Sequence, residues 1–311
     1  MKTLWLLIKP YLRWAILGGT LFFLAKAFKD HWQEVAALRI DAAGWTTLFV
    51  AFSITLLAHI WAGLVWNWIL RSFKQPVQCR WVLQVYLKTN VAKYLPGNVW
   101  HYYGRIWAVT DAGGSLGAAT ISVLLEPLLM AAAALLVALT GSQLGWVNTR
   151  GTVGSWGLQI LGLTLICLAV HPRVLNPVLQ FLSRLKGKPA GTEVFQLDRY
   201  PFIPLLGELG FLGLRGTGFL VCLMALTTLT PSQIPLLFSA FSLAWVLGLV
   251  IPTPGGLGVF ETTAIALLNG QFSTGVILSV VALYRLISIL SEVAGAGLSV
   301  LSDRAIGRWG M

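Results

Sequence analysis

Six long apolar runs constrain this chain more than any other feature, because each is about as long as a bilayer is thick. They lie at about 13–29, 45–70, 117–140, 154–170, 208–229 and 273–300. A membrane-spanning helix needs about 20 mostly apolar residues. Composition agrees, since 57% of the 311 residues are hydrophobic and 11% are charged, against about a quarter charged in a typical soluble domain. The sequence therefore predicts an all-α polytopic membrane protein in which residues 1–311 form one transmembrane domain.

The charge of the chain narrows the classes of partner. Its 22 Lys and Arg against 11 Asp and Glu give a net charge of +11, which in a membrane protein indicates cytoplasmic loops and anionic headgroups. No basic stripe with interleaved aromatic residues supports a nucleic-acid partner. Cys79, Cys167 and Cys222 are too far apart for a CxxC site, and a lone helical histidine such as His59 is more often an interior residue than a ligand. We expect no metal site and no cofactor.

Loop charges indicate the orientation. If the amino terminus lies inside, six crossings return the carboxyl terminus inside, and the interior segments hold thirteen cations against four outside. We therefore expect a multi-pass protein of the cytoplasmic membrane, with both termini and the polar linker 171–204 in the cytoplasm. The run 13–29 has an alternative as a secretory signal peptide ending at Ala25-Lys26-Ala27, although a lysine is unusual in such a cleavage site.

Two further apolar segments are interrupted by proline and glycine. Residues 81–111 break at Tyr94-Leu95-Pro96-Gly97-Asn98, and residues 235–269 break at Ile251-Pro252-Thr253-Pro254-Gly255-Gly256. Proline removes a backbone donor, and broken backbone is costly where it faces lipid. We expect each segment to be a re-entrant hairpin of two short helices, too interrupted to cross alone. The alternative is that the breaks merely separate short spans, giving eight or more.

The broken segments give the chain an internal repeat. Both halves run span, broken segment, span, over about 45–140 and about 208–300, and the expected topology brings the first hairpin in from the cytoplasm and the second from outside. Inverted repeats with broken helices near the membrane midplane are common in transporters. The sequence thus predicts about six spanning helices plus two re-entrant helical hairpins in an inverted repeat, with tips at Pro96-Gly97 and Pro254-Gly255.

The residues at the two breaks resemble those of a known family. The similar stretches are Lys93-Tyr94-Leu95-Pro96-Gly97-Asn98-Val99-Trp100 with Gly104-Arg105, and Ile251-Pro252-Thr253-Pro254-Gly255-Gly256-Leu257-Gly258-Val259-Phe260-Glu261 with Tyr284-Arg285-Leu286-Ile287-Ser288. They resemble motifs in the flippase-like transmembrane region of bifunctional lysylphosphatidylglycerol synthases, over about residues 10–303. The resemblance implies a role in moving or handling phospholipid or polyprenyl-linked lipid. Those synthases continue into a soluble aminoacyl-transfer domain, whereas this chain stops at Met311, so aminoacylation and enzyme activity are not expected.

Ionisable side chains in apolar segments are the candidate site residues, because each costs about 2.5–3.5 kcal/mol at the centre of a membrane. With the residues of the breaks they give the predicted lipid-binding set: Lys93, Pro96, Gly97, Asn98, His101, Arg105, Glu126, Pro254, Gly255, Gly256, Gly258, Glu261 and Arg285. Arg105 is assigned to a lipid phosphate because its planar fork suits bidentate binding, whereas Lys88 and Lys93 have the alternative of simply reaching the headgroups. No catalytic residue is assigned.

The acid at the second break has two interpretations. Glu261 lies in the first turns of a helix that opens at Gly258, where a carboxylate stabilises the positive end of the helix dipole. The functional alternative pairs Glu261 with Arg285, as an ion pair that opens during transport or as a proton-linked acid. Glu292 lies seven residues beyond Arg285, on the same helical face.

The spacing also relates one residue of each repeat. Glu126 follows Pro96 by 30 residues, and Arg285 follows Pro254 by 31. This equivalence predicts that Glu126 and Arg285 occupy related sites and suggests that they face each other.

The function expected from these observations is that of a lipid translocase or lipid-handling carrier. A secondary transporter of a soluble ion or metabolite remains open, because inverted repeats serve both classes. An intramembrane lipid-phosphate enzyme is a second alternative, although no motif typical of one occurs. The expected partner is a membrane phospholipid or polyprenyl lipid, with a second copy of the chain and a separate lipid-modifying enzyme left open.

Overall fold

The computed structural model consists of helices joined by loops. It describes residues 39–94, 99–146, 153–177, 196–251 and 258–307, with Lys29 and Gln33, and within these ranges it gives 153–156 and 303–307 by backbone only. In chain order the helices are α1 (Ala42–Ser72), α2 (Cys79–Asn90), α3 (Trp100–Asp111), α4 (Leu116–Gln143), α5 (Val153–Val170), α6 (Phe202–Met224), α7 (Ile234–Val250), α8 (Val259–Leu268) and α9 (Thr274–Gly307). Short 3-10 helices lie at Val91–Tyr94 and Pro231–Gln233. The all-α prediction is confirmed, since the ranges above contain no sheet.

Within the described ranges, five helices are long and apolar enough to cross a membrane: Ala42–Ser72, Leu116–Gln143, Phe202–Met224, Pro231–Val250 and Thr274–Ser302. Four of them match the predicted spans at 45–70, 117–140, 208–229 and 273–300. The predicted span at 154–170 is helical as α5, of which Gly157–Val170 counts as a shorter apolar helix. The run at 13–29 lies outside the described residues.

One arm of a predicted hairpin is longer than expected. The sequence predicted two short helices in 235–269, yet Pro231–Val250 has the length of a span. The reason is local: Thr230 and Gln233 form a capping box that starts the helix earlier, with Pro231 in its first turn. The second arm, Val259–Leu268, is short as predicted. Both predicted tips, at Pro96-Gly97 and Pro254-Gly255, lie outside the described ranges.

Polar caps fix several helix starts. Asp41 accepts a hydrogen bond from the amide of Gly44 at 2.7 Å and caps α1. At the start of α8, Gly258 has a φ of 84°, which favours glycine, and its amide donates to Glu261 at 2.6 Å. The predicted cap role of Glu261 is therefore confirmed.

Helices α1 and α6 form the centre of the bundle and run antiparallel. At one end a Cβ added to Gly44 would meet the carbonyl of Ala225 at 3.2 Å. Toward the other end the indole of Trp61 donates to the carbonyl of Gly207 at 2.8 Å. A Cβ on Gly207 would lie 2.7 Å from the ring of Trp68, so glycine is what permits this close approach.

The other helices pack around this central pair in a matched order. In the first half α1 contacts α2 and α4, α2 contacts α3, and α3 contacts α4; in the second half α6 contacts α7 and α9, α7 contacts α8, and α8 contacts α9. Between the halves, α2 packs on α9 as α7 packs on α4, and α1 packs on α9 as α6 packs on α4. Each of these contacts therefore has a counterpart in the other half, and α5 packs on α4 outside this scheme.

Contacts between loops define two ends of the bundle. We call one the Lys74 end; its contacts are Lys74–Asp198 (2.8 Å), Ser115 N–Gln75 Oε1 (2.8 Å) and Arg80–Ser302 (2.8 Å). It holds the loops after α1 and before α4 and α6, with the end of α9. The attraction between Lys74 and Asp198 raises the pKa of the amine and lowers the pKa of the carboxyl, so both are charged at neutral pH. The opposite end, which we call the Gly44 end, holds the start of α1 and the end of α6.

Candidate functional site

In the part of the chain that the structure describes, buried and half-buried ionisable side chains form three groups beside the two broken segments. The Arg105 cluster consists of Arg105, Glu126, Tyr86 and Glu208; the Glu292 cluster consists of Glu292, Lys93, His59 and Arg215; the Glu261 pair consists of Glu261 and Arg285. Since ions in apolar surroundings are expensive unless paired, these groups are the candidate site.

The Arg105 cluster joins α3 to α4. The side chain of Arg105 is 2% exposed, and its Nη1 donates to Glu126 Oε2 at 2.6 Å. The hydroxyl of Tyr86 donates to the other Glu126 oxygen at 2.7 Å, and the guanidinium lies 3.8 Å from the centre of the Tyr86 ring. Asn90 and Thr89 accept longer bonds from the same guanidinium, both at 3.4 Å. The hydrogen-bond donors of the Arg105 guanidinium and one of its planar faces are thus already in contact with neighbouring side chains.

Arg105 is bonded to a carboxylate in this structure, although the sequence assigned it to a lipid phosphate. The fork assigned to a lipid phosphate instead binds Glu126, a member of the predicted set that the sequence did not pair with it. Pro127 follows Glu126 inside α4 and removes one backbone hydrogen bond beside the ion pair. In this conformation Arg105 holds the second arm of the first broken segment against α4.

Glu208 is the member of this cluster that the sequence analysis missed. It lies on α6, is 0% exposed, and is close enough to Glu126 and Arg105 for their charges to interact. Among the described residues neither of its carboxyl oxygens has a hydrogen-bond partner. The criterion applied to the other ions, an ionisable residue in an apolar run, would have identified both Glu208 and Arg215 in the span 208–229.

The Glu292 cluster connects the first broken segment to α9 and the central helices. Lys93, in the 3-10 turn after α2, forms an ion pair with Oε1 of Glu292, which is 1% exposed. His59 Nε2 on α1 lies 3.3 Å from the same oxygen, and Arg215 Nη1 on α6 lies 3.5 Å from that nitrogen. The prediction that His59 is an interior residue is confirmed.

Aromatic rings hold the guanidinium of Arg215. Its Cζ lies 5.0 Å from the ring centre of Trp245 and 4.9 Å from that of Tyr284, and the Tyr284 hydroxyl donates to the Arg215 carbonyl at 2.8 Å. Cation–π contacts of this kind stabilise a cation away from water. With Lys93 protonated in its ion pair with Glu292, the cluster has two cations, Lys93 and Arg215, against one carboxylate, which leaves an excess of positive charge.

The Glu261 pair joins α8 to α9. Arg285 Nη2 donates to Glu261 Oε1 at 2.6 Å, and the Arg285 side chain is 30% exposed. The predicted pairing of these two residues is confirmed. The capping bond and the ion pair occur together, because the second oxygen of Glu261 accepts the bond from Gly258. That the pair opens during transport, or that Glu261 is a proton-linked acid, stays a prediction.

The two residues related by spacing have different partners. Glu126 on α4 binds Arg105 on α3, and Arg285 on α9 binds Glu261 on α8. Each half thus has an ion pair between the helix after its broken segment's interruption, α3 or α8, and the long helix that follows, α4 or α9, with the positions of the acid and the arginine exchanged. Glu126 and Arg285 occupy α4 and α9 and each has a partner in its own half; the expectation that they face each other stays a prediction.

The remaining predicted residues are placed as follows. His101 is 7% exposed, and Lys88 is exposed. Within the described ranges, no group of three His, Cys, Asp or Glu side chains is placed to hold a metal ion. Pro96, Gly97, Asn98, Pro254, Gly255 and Gly256 lie outside those ranges, so their assignment stays a prediction.

Comparison with known proteins assigns the family. Residues 12–295 match the family of the lysylphosphatidylglycerol synthase transmembrane region. Among curated proteins, slr0712 of Synechocystis sp. (strain ATCC 27184 / PCC 6803 / Kazusa) is 33% identical over 104 residues, which are 32% of this chain and 32% of that protein. The matched part therefore spans about a third of that relative's length. Since the family match extends over both broken segments and all three ionic groups, the chain belongs to the lysylphosphatidylglycerol synthase transmembrane-region family of multi-pass, flippase-like integral membrane proteins.

Proposed function

We propose that the protein translocates or carries an anionic lipid, a phospholipid or a polyprenyl-linked lipid, across the cytoplasmic membrane. The observation that carries the proposal is the excess positive charge of the Glu292 cluster beside a broken segment, in a chain of a flippase-like family. A lipid phosphate is the anion that such a cluster would attract from the bilayer, because charge-assisted hydrogen bonds to phosphate are strong.

Lys93 and Arg285 are the proposed contacts for the lipid phosphate. Their side chains are 31% and 30% exposed, whereas the Arg105 side chain is 2% exposed. Each is held by one carboxylate, Glu292 or Glu261, which a phosphate can replace as acceptor. Tyr94, next to Lys93, interacts electrostatically with both Glu292 and Arg285, so the two contacts border one region. The prolines, glycines and Asn98 of the breaks complete the proposed site.

We propose that the broken segments are re-entrant hairpins of an inverted repeat. The bond between Ser115 and Gln75 supports this for the first segment, because it joins the loops at the two ends of that segment. Gly141, near the end of α4, lies beside Ser239 near the start of α7, so the second segment starts at the Gly44 end. Antiparallel α1 and α6 and the matched packing of the halves also support an inverted relation.

The Lys74 end is proposed to face the cytoplasm, together with both termini and the linker 171–204. Positive charge favours the cytoplasmic side, and this end carries Arg71, Lys74, Arg80 and Arg199. Asn176 belongs to the same end, because its side chain binds the backbone of Leu197 at 2.9 Å and 3.1 Å.

Cysteine labelling tests this orientation. In a variant without Cys79, Cys167 and Cys222, Arg173→Cys is expected to resist an impermeant maleimide in intact cells and to react after permeabilisation. Thr228→Cys, at an exposed position after α6, is expected to react in intact cells and serves as the positive control. The reverse pattern would invert the orientation.

Reconstitution tests the proposed function directly. Vesicles containing the protein and headgroup-labelled phosphatidylglycerol, or a labelled polyprenyl phosphate, are treated with an impermeant quencher on one side. We expect quenching beyond the one-leaflet fraction that empty vesicles give, and less with a zwitterionic lipid. Uptake of soluble inorganic phosphate without lipid movement would instead favour a carrier of soluble ions, and quenching identical to empty vesicles for every anionic lipid would contradict the proposal.

A further inference from the structure

Glu208 has an environment that an ionised carboxylate cannot easily occupy. It is 0% exposed in the middle of the bundle, and neither carboxyl oxygen finds a hydrogen-bond donor in the described part of the chain. Glu126, by contrast, receives bonds from Arg105 and Tyr86 on its two oxygens. A buried charge without donors is unfavourable, and carboxyl groups in such places neutralise instead. Glu208 is therefore the uncompensated acid of the site.

Charge balance in the Arg105 cluster leads to the same conclusion. One guanidinium, Arg105, interacts with two carboxyl groups, Glu126 and Glu208. With a proton on Glu208 the three groups are neutral together, and without it they have a net negative charge deep in apolar surroundings. Two carboxyl groups that share one site and one cation favour the state in which one acid is protonated.

Among the described side chains, the other helices packed on α6 provide no second cation at Glu208. Those helices are α1, α4, α7 and α9, and α7 has no ionisable residue over Ile234–Val250. On α1, His59 lies beside Arg215, seven residues along α6 from Glu208. The other cation of α1, Arg71, is exposed beside Pro204 at the start of α6.

The charged groups of α9 and the nearby tyrosine do not change this balance. Arg285 is bonded to Glu261, and Glu292 to Lys93. Tyr86, on α2, interacts with Glu208 electrostatically, but its hydroxyl donates a hydrogen bond to Glu126. Arg105 is thus the cation with which a deprotonated Glu208 would interact.

We infer that Glu208 is a proton-binding site, protonated in the conformation described here, and that its deprotonation draws Arg105 away from Glu126. The step is Glu208–COOH → Glu208–COO⁻ + H⁺, after which Glu126 and Glu208 compete as acceptors for one guanidinium. Arg105 belongs to the second arm of the first broken segment, Glu126 to α4 and Glu208 to α6. When Arg105 changes its partner from Glu126 to Glu208, the ionic contact of the second arm moves from α4 to α6. The protonation state of Glu208 therefore determines which helix holds the arm.

The coupling rests on the proposed lipid translocation, whereas the protonation does not. Infrared spectroscopy of the purified parent at neutral pH is expected to show the carbonyl stretch of a protonated carboxyl group. The band is lost in Glu208→Gln and shifted in Glu208→Asp, which keeps an acid if the amide variant fails to fold. Asp198→Asn, which removes an exposed carboxyl group at the Lys74 end, is the control and leaves the band in place. A parent spectrum without such a band, or a band unaffected by both Glu208 variants, overturns the inference.

Transport in reconstituted vesicles tests the coupling. With labelled phosphatidylglycerol, the parent is expected to change its initial rate several-fold when a pH gradient is imposed, and Glu208→Gln is expected to lose this dependence. A parent rate unaffected by the gradient overturns the coupling even if the infrared band is present. Absence of lipid movement at every gradient, with the band present, contradicts the proposed function and leaves the proton site intact, so the two failures are distinguishable.

Discussion

Arg105→Ala is expected to destabilise the protein by about 3–5 kcal/mol, the range found when one partner of a buried ion pair is removed. The reason is the environment of Glu126, which is 3% exposed and receives its charged bond from Arg105. Without the guanidinium, that carboxylate keeps the Tyr86 hydroxyl as its one donor among the described residues. The contact of Arg105 with the Tyr86 ring is lost as well. Chemical unfolding in detergent micelles measures the change in the free energy of unfolding.

Two matched variants separate charge from geometry. Arg105→Lys keeps a cation but loses the planar fork and much of the stacking, so we expect an intermediate loss of stability. The double variant Arg105→Met with Glu126→Gln leaves no unpaired charge, and we expect it to recover much of the stability lost in Arg105→Ala. Arg173→Ala, at an exposed position, is expected to lie within about 0.5 kcal/mol of the parent. If Arg105→Ala unfolded at the same denaturant concentration as the parent, the pairing of Arg105 with Glu126 would be contradicted.

The spans were predictable because length and hydropathy alone define them. Apolar runs at 45–70 and 117–140 became α1 and α4 with ends within a few residues. The extension of α7 back to Pro231 was not predicted, since it depends on a capping box between Thr230 and Gln233. A capping box does not show in the hydropathy of a segment, but it determines at which residue the helix begins.

Ionic contacts within one half of the chain were partly predictable, and those between the halves were not. Glu261 and Arg285 occur in two motifs of the same half and do pair. Equal spacing related Glu126 to Arg285, whereas the ion pair that each forms lies within its own half. His59 and Arg215 meet because α1 and α6 cross there, and no sequence pattern gives that crossing. Glu208 lies in an uninterrupted span, away from the breaks on which the site prediction depended.

Arg285→Ala is expected to slow lipid translocation by about ten-fold or more with little loss of stability. A hydrogen bond to a charged group contributes about 1.5–3 kcal/mol, and 1.4 kcal/mol corresponds to about ten-fold in an equilibrium constant. Stability changes less than for Arg105→Ala for two reasons. The Arg285 side chain is 30% exposed, and Glu261 keeps the bond from the amide of Gly258. Initial quenching rates in vesicles, beside unfolding curves of the same preparations, measure both effects.

Substitutions on either side of this pair identify what Arg285 binds during transport. Arg285→Lys retains the charge without the fork, so partial activity indicates Coulomb attraction and no activity indicates bidentate phosphate binding. Glu261→Gln removes the carboxylate that competes with the phosphate but leaves an oxygen to accept the capping bond from Gly258. If a lipid phosphate replaces Glu261 at Arg285, this variant reaches its half-maximal rate at a lower lipid fraction than the parent. Arg173→Ala controls for the loss of one surface cation, and parental rates in Arg285→Ala together with an unchanged half-maximal lipid fraction in Glu261→Gln would make the pair purely structural.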